Sequence, residues 1–266
     1  SDYEGINSKL SKVILSGADS AQFNNQGFER WNKKEKFKLV THHWSNNWNK
    51  GFDVYKKIDD SKSLIAEALK YHKRTAIASS FGKDSVVLIH IAQQIQPDIP
   101  IFSLLSDTEF PETERYISEL IDSWGLNCTL YHYQQSDLIK QHPEQCCQSQ
   151  KVSTMITAVS DLDCILSGVR RSEGESRTDM KPIEDQQGLI KYNPILEFSE
   201  LDIWRYIAVN NIPVNPIYQL GYRSLGCQFC SQPEQSEDDL ERAGRWHNTE
   251  NQGLECGIHT ERLKKQ

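Results

Sequence analysis

Between residues 74 and 200, short apolar runs alternate with segments of helical pattern, and this alternation restricts the fold more than any other feature of the chain. The runs TAIAS (75–79), IFSLLS (101–106), NCTLYHY (127–133) and CILSG (164–168) read as strands. DSVVLIHIAQQI and PETERYISELIDSW, lying between them, read as helices, with Pro111 suited to a first helical turn. Near-continuous apolar strands joined through helices predict an α/β fold, a mostly parallel sheet covered by helices on both faces. Ligands of such sheets bind outside the carboxyl ends of the strands. The boundaries divide the chain into a polar, helical N-terminal extension (1–70), a sheet and cysteine-loop domain (71–235) and a mobile tail (236–266). Within the extension, SKLSKVILSG and DDSKSLIAEALKYH are expected to be helical, the second capped by Ser61 or Ser63. SELDIWRYIAVNN opens with Ser199 and Asp202 at capping-box spacing.

The first strand runs into Ser79-Ser80-Phe81-Gly82-Lys83-Asp84-Ser85, directly before a helix. A small-residue loop at that place presents backbone N–H groups beside the positive end of the helix dipole, which suits phosphate. Gly82 permits close approach, the serines add hydroxyl donors and Lys83 adds a cation. Neither G-x-x-x-x-G-K-[ST] nor G-x-G-x-x-G is present, and an ordinary strand-to-helix turn is the plain alternative.

Seven cysteines are distributed unevenly. Cys146 and Cys147 are adjacent, Cys227 and Cys230 form a C-x-x-C, and Cys256 stands alone near the C-terminus. Two tight pairs offer four thiolates to one metal centre. Zinc ligands normally pair as C-x(2–4)-C, whereas a 4Fe–4S cluster presents separate iron atoms and tolerates adjacent cysteines better. Cys128 and Cys164 lie in apolar runs and read as ordinary buried thiols.

Composition narrows the function classes. The chain is 37% hydrophobic and 25% charged, with no apolar run near the roughly 18 residues of a membrane span and no basic-then-apolar leader pattern. An odd cysteine number without a leader points to a reducing, cytoplasmic setting. A net charge of −7 disfavours non-specific nucleic-acid binding. The clustering of Arg170, Arg171 and Arg177, and of Arg242 and Arg245, suits a small anion better than a polyanion.

The loop at 79–85 resembles the PP-loop of the adenine-nucleotide α-hydrolase superfamily. Further blocks resemble the adenylylsulfate and phosphoadenylylsulfate reductases of the cluster-containing kind. These are Asp107-Thr108-Glu109-Phe110-Pro111-Glu112-Thr113, Cys146-Cys147 through Lys151-Val152, and Gly168-Val169-Arg170-Arg171. Asn193-Pro194 through Trp204-Arg205-Tyr206-Ile207 and Gly221-Tyr222 through Gly226-Cys227-Gln228-Phe229-Cys230 continue the series. Arg242-Ala243-Gly244-Arg245-Trp246 and Glu255-Cys256-Gly257-Ile258-His259 complete it, in family order, over most of the chain. Lys83-Asp84-Ser85 departs from the reductase loops and stands closer to the ATP-hydrolysing relatives.

The resemblance implies a thiol-dependent reductase that makes sulfite in sulfate assimilation. Cys256 would attack the sulfuryl sulfur of adenylylsulfate, AMP would leave, and a thioredoxin-like dithiol protein would release sulfite from the S-sulfocysteine. It implies a 4Fe–4S cluster on Cys146, Cys147, Cys227 and Cys230. Lys151, Arg170, Arg171, Arg242 and Arg245 become anion clamps, and His259 joins them or lowers the Cys256 pKa. Asp107 and Glu109 would lie near ribose or base, and His142 is a weaker sulfate candidate. Phosphoadenylylsulfate stands as the alternative substrate, and an ATP-dependent nucleic-acid thiolation enzyme as the alternative of another class. A homo-oligomer is compatible with the sequence.

Overall fold

The computed structural model describes residues 51–135 and 150–233, together with 241, 242, 244 and 245. The helix expected at SKLSKVILSG, and Cys146, Cys147, His142, Cys256 and His259, lie outside the described residues.

Six strands form one sheet in the order β3-β2-β1-β4-β6-β5. They are β1 (Thr75–Ala78), β2 (Ile101–Ser106), β3 (Cys128–Tyr133), β4 (Cys164–Ser167), β5 (Ile183–Asp185) and β6 (Ile190–Tyr192). Every pairing is parallel except β5 with β6. The four expected strands are present within a residue at each end. β5 and β6 escaped the sequence reading because each is three residues long and carries charge, so no apolar run marks them. The expectation of strands buried on both faces holds for β1, β2 and β4 but not for β3, an edge strand whose side chains are mostly half-buried or exposed.

The described helices are α1 (Gly51–Tyr71), α2 (Lys83–Gln93), α3 (Pro111–Trp124), α4 (Val152–Val159) and α5 (Glu200–Asn210). Pro111 occupies the first turn of α3, and Gly125 ends it at φ 60, a conformation glycine adopts without a Cβ clash. Ser199 and Asp202 close a complete capping box on α5. The proposed cap of α1 is corrected: Ser61 and Ser63 lie inside that helix. Ser61 Oγ donates to Lys57 O and Pro194 O, both at 2.7 Å, and Ser63 Oγ donates to Asp59 O at 2.9 Å. Ser61 therefore ties α1 to the turn after β6.

Ile65 and Ala68 of α1, Val87 and Leu88 of α2, and Ile203 and Ile207 of α5 fill the main core with Ile77 of β1. A smaller cluster on the opposite face joins Ala76, Phe102 and Ile165 to Met155 and Val159 of α4. The helix within the N-terminal extension thus contributes to the main core. No described helix is long and apolar enough to cross a membrane.

Candidate active site

A cleft opens at the carboxyl ends of β1 and β4. β1 connects onward to β2 on one side, while β4 lies on its other side, so this is the sheet's topological switch point. Its floor is the loop after β1: Ser79, Ser80, Gly82, Lys83, Asp84 and Ser85 line it. Phe81 points instead into the core, fully buried, with a left-handed φ of 51. Ser79 Oγ accepts the Phe81 N–H at 3.0 Å, which fixes this turn. Strain of this kind persists only where surroundings hold it, and here the anchored ring and the serine do so. From the β4 side, a Cβ on Gly168 would lie 3.0 Å from Ser85 Cα, so glycine is what lets the strand end meet the first turn of α2.

The cleft lining mixes the apolar side chains Phe102, Leu104, Met155 and Ile165 with the cations Lys151, Arg177, Arg242 and Arg245 and the carboxylates Asp84 and Glu173.

Part of the lining belongs to an ion cluster: Lys83, Asp84, Glu173, Arg177 and Arg242 line the cleft, and Arg170 and Glu241 stand outside the lining. Lys83 Nζ donates to Glu241 at 2.7 Å and stands 3.5 Å from Asp84. Arg170, fully buried, donates to Asp84 at 2.6 Å and also to Glu241. Arg177 and Arg242 both reach Glu173, Arg242 at 3.1 Å. Four cations (Lys83, Arg170, Arg177, Arg242) thus meet three carboxylates (Asp84, Glu173, Glu241), an excess of one positive charge beside the cleft. Burial would push the Glu173 carboxyl up, but Arg177 and Arg242, with Arg170 and Lys83 behind them, hold it below its usual value. Burial likewise opposes charge on Lys83 and Arg170, yet Asp84 and Glu241 outweigh it and raise both. Glu241 itself is raised, because burial and the nearby Glu200 and Glu173 exceed its cationic partners. Asp84, Glu173 and Glu241 could also group around a metal by distance alone, but their oxygens already face Lys and Arg.

Cys227 directly precedes the short 3-10 turn Gln228–Cys230 and Cys230 is its last residue, and both are buried. Hydrogen bonding by Cys230, against the opposing effect of burial and helped by Arg245 and Lys151, lowers the Cys227 thiol to about 6. Gln228 pins this turn to the end of β2, its N–H donating to Thr108 O at 3.0 Å and its Nε2 to Glu109 O at 2.8 Å. Beyond it, Ser231 pairs with Arg245 in an isolated antiparallel bridge, and Gln232 N–H donates to Gly244 O at 2.9 Å.

The expected site residues therefore divide. The loop residues other than Phe81, with Lys151, Arg242 and Arg245, line one cleft. Arg170 stands outside its lining, in the ion cluster. Arg171 is turned to the surface, where it pairs with Glu197 at 2.8 Å and donates to Thr178 O. Asp107 accepts the Gln135 N–H at 2.9 Å and does not line the cleft. Glu109 also stands outside the lining; its carboxyl, raised by burial, senses Lys151 and Cys227. Burial pushes the Cys128 and Cys164 thiols up to about 11 and about 12, which disfavours the thiolate form.

The sequence reading missed Glu173, Lys191, Tyr218, Arg223 and Glu241. Glu173 stood in view, four residues before Arg177, and Glu241 directly precedes Arg242. Tyr218 gave no signal: its hydroxyl accepts the Lys83 N–H at 2.8 Å across 135 residues.

A mostly parallel α/β sheet with a cleft at its switch point places the protein in the class of open α/β proteins, whose ligands bind beyond the carboxyl ends of the strands. Within that class the comparisons are specific. The model of the phosphoadenosine phosphosulfate reductase domain matches residues 74–233. An adenosine 5′-phosphosulfate reductase of Lysinibacillus sphaericus is 32% identical over 239 residues, covering 83% of this chain and all of the relative. One from Salinibacter ruber is 30% identical over 197 residues, covering 70% and 77%. Among solved structures, a phosphoadenylyl-sulfate reductase from Candida auris aligns at TM-score 0.55 with 18% identity, covering 63% of this chain and 88% of its own. An FMN adenylyltransferase from Candida glabrata aligns at 0.53, also at 18% identity, covering 74% and 76%. The chain belongs to the phosphoadenosine phosphosulfate reductase domain family.

Proposed function

We propose that this protein reduces adenylylsulfate to sulfite and AMP, with a thioredoxin-like dithiol protein as reductant, in sulfate assimilation. The carrying observation is that Lys151, Arg242 and Arg245 line one cleft together with loop residues between Ser79 and Ser85 and the apolar side chains Phe102, Leu104 and Met155. That arrangement supports an adenine against Phe102, Leu104 and Met155, with phosphate and sulfate toward the cations. Relatives named as adenosine 5′-phosphosulfate reductases support the choice of nucleotide.

In this reading the Cys256 thiolate attacks the sulfuryl sulfur. A sulfur–sulfur bond forms, the bond from sulfur to the bridging oxygen breaks, and AMP departs with the electron pair. Arg242 and Arg245 neutralise charge on the transferring group. A reductant thiolate then attacks the Cys256 sulfur and displaces sulfite, and its second thiol resolves the mixed disulfide. Cys256 and His259 act here on the sequence resemblance alone.

Cys227 and Cys230 fit one half of a cluster site: two buried thiols on one turn, with a pKa already lowered toward thiolate. Cys146 and Cys147 would complete a 4Fe–4S set. When bound, such a cluster would supply a compact charged centre held by these thiolates. Lys151 lies in the cleft wall, and its charge bears on Cys227 and Glu109, so it can balance thiolate and substrate charge together.

The test is sulfite release from adenylylsulfate and from phosphoadenylylsulfate, side by side with a dithiol donor. We expect a higher kcat/KM for adenylylsulfate. Preference for the 3′-phosphorylated nucleotide would reverse the substrate assignment. Pyrophosphate release from ATP without sulfite formation would replace the reading with the thiolation class.

A further inference from the structure

Lys83 and Asp84 are the residues at which this loop departs from the reductase pattern, and although both line the cleft, both are engaged in buried ion pairs. Lys83 keeps a side chain 2% exposed, with Nζ held between Glu241, Asp84 and the carbonyl of Arg223 at 3.2 Å. Its ammonium thus meets a carboxylate from a residue 158 positions away. Glu241 directly precedes Arg242, and Arg245 follows three residues later; both arginines line the cleft. The short segment is held at two ends. Glu241 fastens it to the loop and to Arg170, while Gly244 and Arg245 fasten it to Ser231 and Gln232 beyond the cysteine turn.

We propose that Glu241 is a positioning residue, which docks the 241–245 segment on Lys83 and Arg170 and so presents Arg242 and Arg245 to the bound anion. Lys83 is then a docking cation and not a phosphate contact. The inference rests on the proposed substrate reading for its ligand, but the docking itself does not.

The sign of one effect separates this role from a simple electrostatic one. Glu241 is a carboxylate close to an anion site, so by Coulomb's law alone Glu241→Gln tightens anion binding. If Glu241 acts through the arginines, the same change weakens it, by about tenfold for the charge-assisted contacts disturbed. The readout is AMP and adenylylsulfate affinity by calorimetry on the full chain. In an Arg242→Ala/Arg245→Ala background, Glu241→Gln is expected to have no further effect.

A second variant guards against loss of folding. In Lys83→Met/Glu241→Met the buried pair is replaced by apolar chains of similar length, a change that commonly leaves a fold intact. Affinity within about threefold of wild type is expected, because packing keeps the segment docked and Lys83 makes no anion contact. A persistent loss of tenfold or more would return Lys83 to the phosphate and overturn the proposal, as would tighter binding in Glu241→Gln. Hydrogen exchange at Gln232, whose amide donates to Gly244 O, reads docking without any ligand. It should accelerate in Glu241→Gln and recover in the double Met variant; an unchanged rate overturns the docking. If wild type binds neither nucleotide while exchange behaves as expected, the substrate reading fails and the docking stands.

Discussion

On the face that α1, α2 and α5 cover, the sheet meets Ile65, Leu88, Ile203 and Ile207, all fully buried and apolar. At the carboxyl ends of the same strands, Lys83, Arg170, Glu173, Arg177, Glu241 and Arg242 are buried almost as completely, with charge against charge. The apolar face gains stability from area removed from water. The charged end gains little net stability, because desolvation offsets most of the attraction, but it fails sharply when one partner is lost. It therefore fixes position more than it stabilises.

The widest separation between the two ends should come from the proposed nucleophile. Cys256→Ser is expected to lower turnover by about 10³-fold or more, since an unactivated hydroxyl is a far weaker nucleophile than a thiolate. Nucleotide affinity and thermal stability should stay at wild-type values. Wild type incubated with adenylylsulfate and no reductant should carry a sulfonate on the peptide containing Cys256, read by mass spectrometry. An adduct on Cys128 or Cys164 instead would break the mechanism.

Arg170→Met tests the charged end as structure. It leaves Asp84 and Glu241 buried beside fewer cations, and a loss of about 3–5 kcal/mol is expected from denaturant unfolding. Ile203→Ala probes the apolar face with a cost of about 2–5 kcal/mol. The two should differ in function: at temperatures where both are folded, Ile203→Ala retains kcat/KM and Arg170→Met does not. Equal kcat/KM in both would erase the distinction drawn here.

Acid titration sharpens it further. Glu173, Glu200 and Asp202 are held below their usual values despite burial, by Arg177 and Arg242, by Lys83 and Arg223, and by Lys57. For these groups the unfolded chain binds more protons near their ordinary pKa values of 4.5, 4.5 and 3.8, so stability is present above that range and is lost as pH falls through the folded values. Glu109 and Glu241, both raised, have the opposite sign: each favours the fold as pH falls. Three groups against two predict a net fall in the urea midpoint below about pH 4.5, and Glu173→Gln should shallow that fall. A midpoint that rises on acidification would refute the assignment.

The apolar face was legible because periodicity reports burial. Ile77, Val87 and Leu120 each sit in a run whose pattern names its own element, and Pro111 and the Ser199–Asp202 box marked their helix starts correctly. The cleft was legible in part, through the loop at Ser79–Ser85 and the paired arginines. The charge cluster was not, because its partners are set by tertiary distance: Asp84 meets Arg170 across 86 residues and Lys83 meets Glu241 across 158. A single charged residue carries no mark of which partner it will meet. Arg170 and Arg171, adjacent and alike in sequence, end with opposite fates for that reason, one fully buried and one half-exposed on Glu197.

Gly226 offers the finest test, at the join of cleft and cysteine turn. A Cβ there would collide with the Arg245 guanidinium, which lies across the backbone directly before Cys227. Gly226→Ala therefore leaves the apolar core untouched and asks Arg245 to move. The guanidinium is the far end of a flexible chain, so the fold should survive with a change in stability below about 1 kcal/mol, as for substitutions away from the core. Arg245, however, donates to Ser231 Oγ at 3.2 Å and contributes to the lowered pKa of Cys227, and both depend on its present place. The expected result is an affinity for adenylylsulfate lowered by about tenfold, one charge-assisted contact, at nearly unchanged Tm. Gly226→Ala in an Arg245→Ala background should add no further loss, since the side chain it displaces is already gone. A full loss in that background would place the role of Gly226 in the backbone of the cysteine turn and not in the path of Arg245.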